Sequence, residues 1–106
     1  MNKGLTSQPS EAARIGSALR RRLPYLRRKY RVRSFAIFGS VARNRMRAQS
    51  DVDILVEFSK PVGLFTFLDL KADLEGLLKR RVDLVTADAL KPQMREKVLR
   101  EAVYAA

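Results

Sequence analysis

Apolar positions along this chain recur with two different periods. Ile15, Leu19, Leu23, Leu26 and Tyr30 fall three or four residues apart, the spacing of one face of a helix. Ser10 stands where it can cap that helix, and Glu11 where a negative charge meets the helix dipole favourably. Pro24 lies inside the stripe, so the pattern predicts a kink or a fresh helical turn there. "RSFAIF" is β-branched and aromatic and ends at Gly39, which reads as a strand. "SVAR" reads as a short helix, closed by Asn44, a residue that tolerates the left-handed conformation.

"DVDILVEF" alternates, which predicts a second strand. "LFTFLDLKADLEGLLKR" returns to helical spacing, with Leu64, Phe67, Leu70, Leu74, Leu77 and Leu78 as its stripe. "VDLVT" predicts a third strand. Pro92 suits the first turn of a last helix, Lys91–Tyr104, with Met94, Val98 and Ala102 on one side. The order α-β-α-β-α-β-α predicts an α/β (α+β) fold, a small mixed sheet flanked by helices.

The 106 residues fit one domain, here placed at 10–106 after a flexible 1–9. With 46% apolar and 31% charged residues the balance is globular rather than disordered. The N-terminus lacks an apolar stretch, and no run approaches the length of a membrane span, so the expectation is a cytoplasmic protein without a membrane partner. Cysteine and histidine are both absent, which removes disulfides, thiolate metal sites and the commonest general base. Chemistry on this chain must run on carboxylates, hydroxyls, cations and a borrowed ion. The net charge of +11 is lopsided: residues 1–50 hold 13 Lys and Arg against one acid, and residues 51–106 hold 9 against 10. Such a half attracts phosphates or acidic partners.

The acids sharpen this picture. Side chains alternate across a strand, so Val52, Ile54, Val56 and Phe58 share one face, and Asp51, Asp53, Leu55 and Glu57 the other. Residues two apart lie roughly 6.5–7 Å apart along a strand, close enough for two carboxylates to converge on one ion. Asp83 joins them if the second and third strands are neighbours. Carboxylates without His or Cys suit a hard, oxygen-loving cation, Mg²⁺ above all. A pair of such ions about 3.5–4 Å apart would clamp an in-line phosphoryl or nucleotidyl displacement. Gly39 and Ser40 sit between a strand and a predicted helix, where free N–H groups favour an anion. Arg43, Arg45 and Arg47 follow and could neutralise a triphosphate.

"GSVARNRMRAQSDVDILVEF" resembles the signature of the minimal nucleotidyltransferases, the smallest members of the DNA polymerase β-like nucleotidyltransferase superfamily. The resemblance covers about residues 10–104. Its pattern falls on Gly39, Ser40, Asp51, Asp53 and, on another strand, Asp83; many relatives carry Gly where this chain has Asn44. The resemblance implies a polymerase β-like fold and Mg²⁺-dependent transfer of AMP from ATP to a hydroxyl, with Asp51, Asp53 and Asp83 as metal ligands and catalytic acids. Gly39, Ser40 and Arg43 would hold the nucleotide, and two ions would serve. Many minimal members are antitoxins that adenylylate a tyrosine of a HEPN-type toxin, and this is the partner expected here.

Two rival readings stand beside it. One is a non-catalytic antitoxin or RNA-binding module that acts by contact through the basic half. Nucleic-acid binding is disfavoured because Phe35, Phe38, Phe58 and Phe67 read as core, leaving little for stacking on bases. The other is a transferase for a small molecule, disfavoured because the predicted elements leave no second domain to build a pocket.

Overall fold

The computed structural model describes residues 11–39 and 51–104. Helix α1 is Glu11–Tyr30, strand β1 Val32–Phe38, strand β2 Val52–Phe58, helix α2 Leu64–Leu78 and strand β3 Val82–Thr86. A 3-10 turn at Ala87–Ala89, helix α3 at Pro92–Glu101 and a two-residue strand β4 at Val103–Tyr104 complete the described order. The sheet runs β3-β2-β1-β4. β1 pairs antiparallel with both β2 and β4, whereas β2 and β3 run parallel. A parallel pair needs a crossover, and α2 supplies it. The result is the mixed sheet with flanking helices expected of a polymerase β-like nucleotidyltransferase.

Alternation decides where the core lies. Phe35 and Ile37 of β1, Val52, Ile54 and Val56 of β2, and Val82 and Leu84 of β3 face one side. They meet Ile15, Leu19, Leu23, Leu26 and Tyr30 of α1 and Leu70 and Leu74 of α2. The opposite side of the sheet buries only Ala36, Leu55 and Val98, the last from α3. A polar tie joins the two helices of the thick layer. The Tyr30 hydroxyl donates to the Asp73 carboxylate, and Lys29 lies 3.6 Å from the same carboxylate. α2 closes on Lys79 in the left-handed conformation (φ 55°), whose N–H donates to Glu75 O at 2.8 Å.

Three expectations need correction. α1 runs as one helix through Pro24 rather than restarting there. Pro24 is exposed, so the carbonyl it cannot satisfy faces solvent, and the apolar stripe on the other side continues without a break. The last helix stops at Glu101 instead of Tyr104. Ala102 turns extended (φ −69°, ψ 141°), and Val103 and Tyr104 pair with Ile37 and Ala36 at the free edge of β1. Two residues are too short for a period, so tertiary pairing overrode the local pattern. Met94 and Leu64, placed on the apolar stripes of their helices, are 51% and 68% exposed, because each lies in a first turn that the sheet does not cover. The expected "SVAR" helix and the caps at Ser10 and Asn44 lie outside the described residues.

Candidate active site

β2 and β3 meet in a register that aligns Asp53 directly with Asp83. In a parallel pair, aligned residues point to the same face, so both carboxylates leave the sheet on the side away from α1 and α2. Asp53 is half-buried and Asp83 exposed; Asp51, one residue before β2, is exposed. None is sealed in the apolar interior. Val52 N–H donates to Arg81 O at 2.9 Å, which fixes the starts of the two strands together and with them the level of the acids.

Gly39 completes this end of the sheet. β1 places Phe38 opposite Asp53, so the next residue turns over that carboxylate. Gly39 adopts φ +72°, a conformation L side chains rarely take. A Cβ there would strike the Asp53 carboxylate, standing 3.0 Å from its Cγ and 3.3 Å from its Cβ. Sequence reasoning assigned Gly39 to the approach of a phosphate. Its role as clearance for Asp53 went unread, because nothing local signals contact between residues 14 apart. Ser40 and Arg43 lie outside the described residues.

The donor set fits a hard divalent cation, since every candidate ligand is a carboxylate oxygen and the chain has no His or Cys. The described backbone brings Asp53 and Asp83 together and leaves Asp51 at the mouth of β2. Among the described residues no three acidic side chains already converge as a cage. Like charges repel, which opposes such closure by the carboxylates alone.

The nucleotidyltransferase domain family matches residues 19–105, most of the chain. The chain belongs to that family. This nucleotidyltransferase domain is 46% identical over 79 residues to the protein adenylyltransferase MntA of Thermococcus cleftensis, covering 74% of this chain and 80% of the relative. A solved candidate minimal nucleotidyltransferase superposes with a TM-score of 0.74 at 38% identity, covering 92% of this chain and 98% of that one. The fold also recurs, at TM-score 0.61 and 18% identity, in the complex of a tri-AMPylated HEPN toxin with its MNT antitoxin from Shewanella oneidensis, with coverage of 86% and 71%. The domain is thus of the minimal nucleotidyltransferase kind and shares its fold with the MNT antitoxin of that complex.

Proposed function

We propose that this nucleotidyltransferase moves AMP from ATP onto a tyrosine hydroxyl of a HEPN-type toxin and so acts as its antitoxin in the cytoplasm. The observation that carries the reading is the Asp53–Asp83 alignment beside a glycine that gives Asp53 room. The 46% identity to a protein adenylyltransferase supports AMP as the group moved. The fold shared with an antitoxin bound to an AMPylated toxin supports the partner.

Asp51, Asp53 and Asp83 would hold Mg²⁺, which when bound neutralises triphosphate charge and polarises the α-phosphate. Gly39 N–H, the Ser40 hydroxyl and Arg43 hold the β and γ phosphates, so that the leaving pyrophosphate is gripped before it departs. Asp83, the more exposed of the aligned pair, receives the incoming hydroxyl and accepts its proton as the oxygen attacks the α-phosphorus. The α–β phosphoanhydride bond breaks, pyrophosphate leaves, and a phosphodiester to the tyrosine oxygen forms. The chain contributes position and charge rather than a nucleophile of its own.

The test supplies ATP labelled at the α or the γ phosphate, with Mg²⁺ and a purified HEPN protein. Label passing to the HEPN protein from the α position only is the expected result. Transfer of the γ label would make the protein a kinase. A stoichiometric complex without transfer would leave an antitoxin that acts by contact. Mg²⁺ affinity, read by calorimetry without ATP, should fall in Asp53→Asn and Asp83→Asn, which tests the ligand set apart from turnover.

A further inference from the structure

α2 carries large apolar residues on more than one side of its first turns. Leu70 and Leu74 are buried, with Phe67, Leu77 and Leu78 packed beside them, yet Leu64, Phe65 and Leu68 stand 68%, 83% and 46% exposed on another side. A cluster of large apolar side chains left exposed on a helix marks a surface that a partner covers. Leu64 also lines a groove of about 610 Å³ with Val56, Phe58, Pro61, Val62 and Phe67. The groove sits at the C-terminal ends of β2 and β3. Ser59, on its lining, is six residues beyond Asp53, about 20 Å along an extended strand.

The flank toward α1 is basic. Lys60 lines the groove, and exposed Arg31 is joined to the lining because the Ser59 N–H and hydroxyl both donate to Arg31 O, at 2.8 and 3.2 Å. Arg27 and Arg28 lie one turn back on α1, and among the described residues neither they nor Arg31 forms an ion pair with an acid. The acids nearby are Glu57, which accepts from Ser34 Oγ at 2.9 Å, and Asp88, both on the lining, and exposed Asp69 beside Leu68 on α2.

We propose that this groove and the bare side of α2 dock an amphipathic, acidic segment of a partner protein. Phe65 and Leu68 meet its apolar anchors, and Arg31 and Lys60 meet its carboxylates. Concavity favours a protein segment over a lipid surface, which offers no side chain to fill a groove. The exposed Leu64, Phe65 and Leu68 favour it over nucleic acid, whose phosphate backbone would leave those side chains wet. The segment anchors one end of the sheet while the aspartates at the other end stay open, so a docked acceptor is held at high effective concentration without covering the phosphate site. The proposal rests on the toxin reading only for the existence of a protein acceptor.

The test displays random 16-residue peptides on phage and selects them against the wild-type protein and against Phe65→Asp. Enriched peptides should carry apolar residues three or four apart with flanking Asp or Glu. Their synthetic forms should bind Phe65→Asp and Leu68→Ser at least about tenfold more weakly, and Arg31→Glu with Lys60→Glu several-fold more weakly. Both apolar side chains point to solvent, and an unchanged circular-dichroism melt confirms that the variants fold. No enrichment, peptides without acids, or equal binding by Phe65→Asp overturns the proposal. So does Phe65-dependent binding of phosphatidylserine vesicles or poly(U) RNA in place of peptide. ATP binding by the wild type is measured separately. Docking without ATP binding sinks the catalytic reading alone, and ATP binding without docking sinks this proposal alone.

Discussion

On the helix-covered face of the sheet, fifteen buried residues interlock between three strands and two helices. On the aspartate face, three described residues are buried, under a helix that contributes only Val98 to that core. One face is shut by packing; on the proposed reading the other admits a substrate. A carboxylate that must meet a cation and a triphosphate cannot sit under a packed layer, because burying it unpaired would cost several kcal/mol or neutralise it. The thick layer therefore carries most of the stability, and the proposed function places the chemistry on the thin one.

Substitution should separate the two faces. Asp53→Asn keeps the shape of the side chain and removes its charge. AMP transfer should drop by about 10²–10³-fold or more, as expected when a charge that positions phosphates is lost. The melting temperature should move by no more than a few degrees. Steady-state transfer and calorimetry on the same preparation check both halves. Near-normal transfer in Asp53→Asn would move the chemistry off this face. Leu70→Ala on the other face should do the reverse. Leu70 is fully buried, so the cavity should cost about 2–5 kcal/mol by denaturant titration, while the folded fraction still transfers AMP. If Leu70→Ala spared stability and stopped transfer, the division of labour would be wrong.

Gly39→Ala tests the seam. The new methyl strikes the Asp53 carboxylate, and φ +72° strains any L residue by about 1 kcal/mol or more. Transfer and Mg²⁺ affinity should both fall, with a modest loss of stability. An intact Mg²⁺ affinity in this variant would mean that Asp53 does not need the clearance.

The two faces also differed in how far the sequence disclosed them. The thick face was legible because burial imposes a period. Ile15 to Tyr30 kept helical spacing, and Val52, Ile54 and Val56 kept the alternation of a strand, and those positions are buried. The aspartate face carries no such period, and its acids were read from chemistry and from the family pattern. The register that aligns Asp53 with Asp83 depends on how two strands 30 residues apart meet, which no local window holds. Leu64 misleads for a related reason: the helical stripe on α2 is real, but its first turn runs past the edge of what the sheet and α1 cover. Val103 and Tyr104 were absorbed into a helix because the edge of β1 that captures them is far away in sequence.

The smallest expected effect lies within the thick layer and turns on pH. Burial, followed by the hydrogen bond to Asp73, raises the Tyr30 hydroxyl above its ordinary value near 10. Hydrogen bonds to Tyr25 and Tyr30, with a lesser contribution from the Asp73 charge, raise Lys29 as well. Both groups hold their protons more tightly folded than unfolded. Their contribution is therefore complete below about pH 10, the ordinary value for tyrosine, and is lost as pH rises through the folded values. Tyr30→Phe should melt a few degrees below the wild type at neutral pH, through loss of a buried hydrogen bond to a carboxylate. That gap should close above pH 10, as the wild type loses what the variant never had. Melting curves from pH 7 to 11 check it. A gap that is constant over that range would mean the Tyr30–Asp73 contact adds packing rather than a proton-dependent tie between α1 and α2.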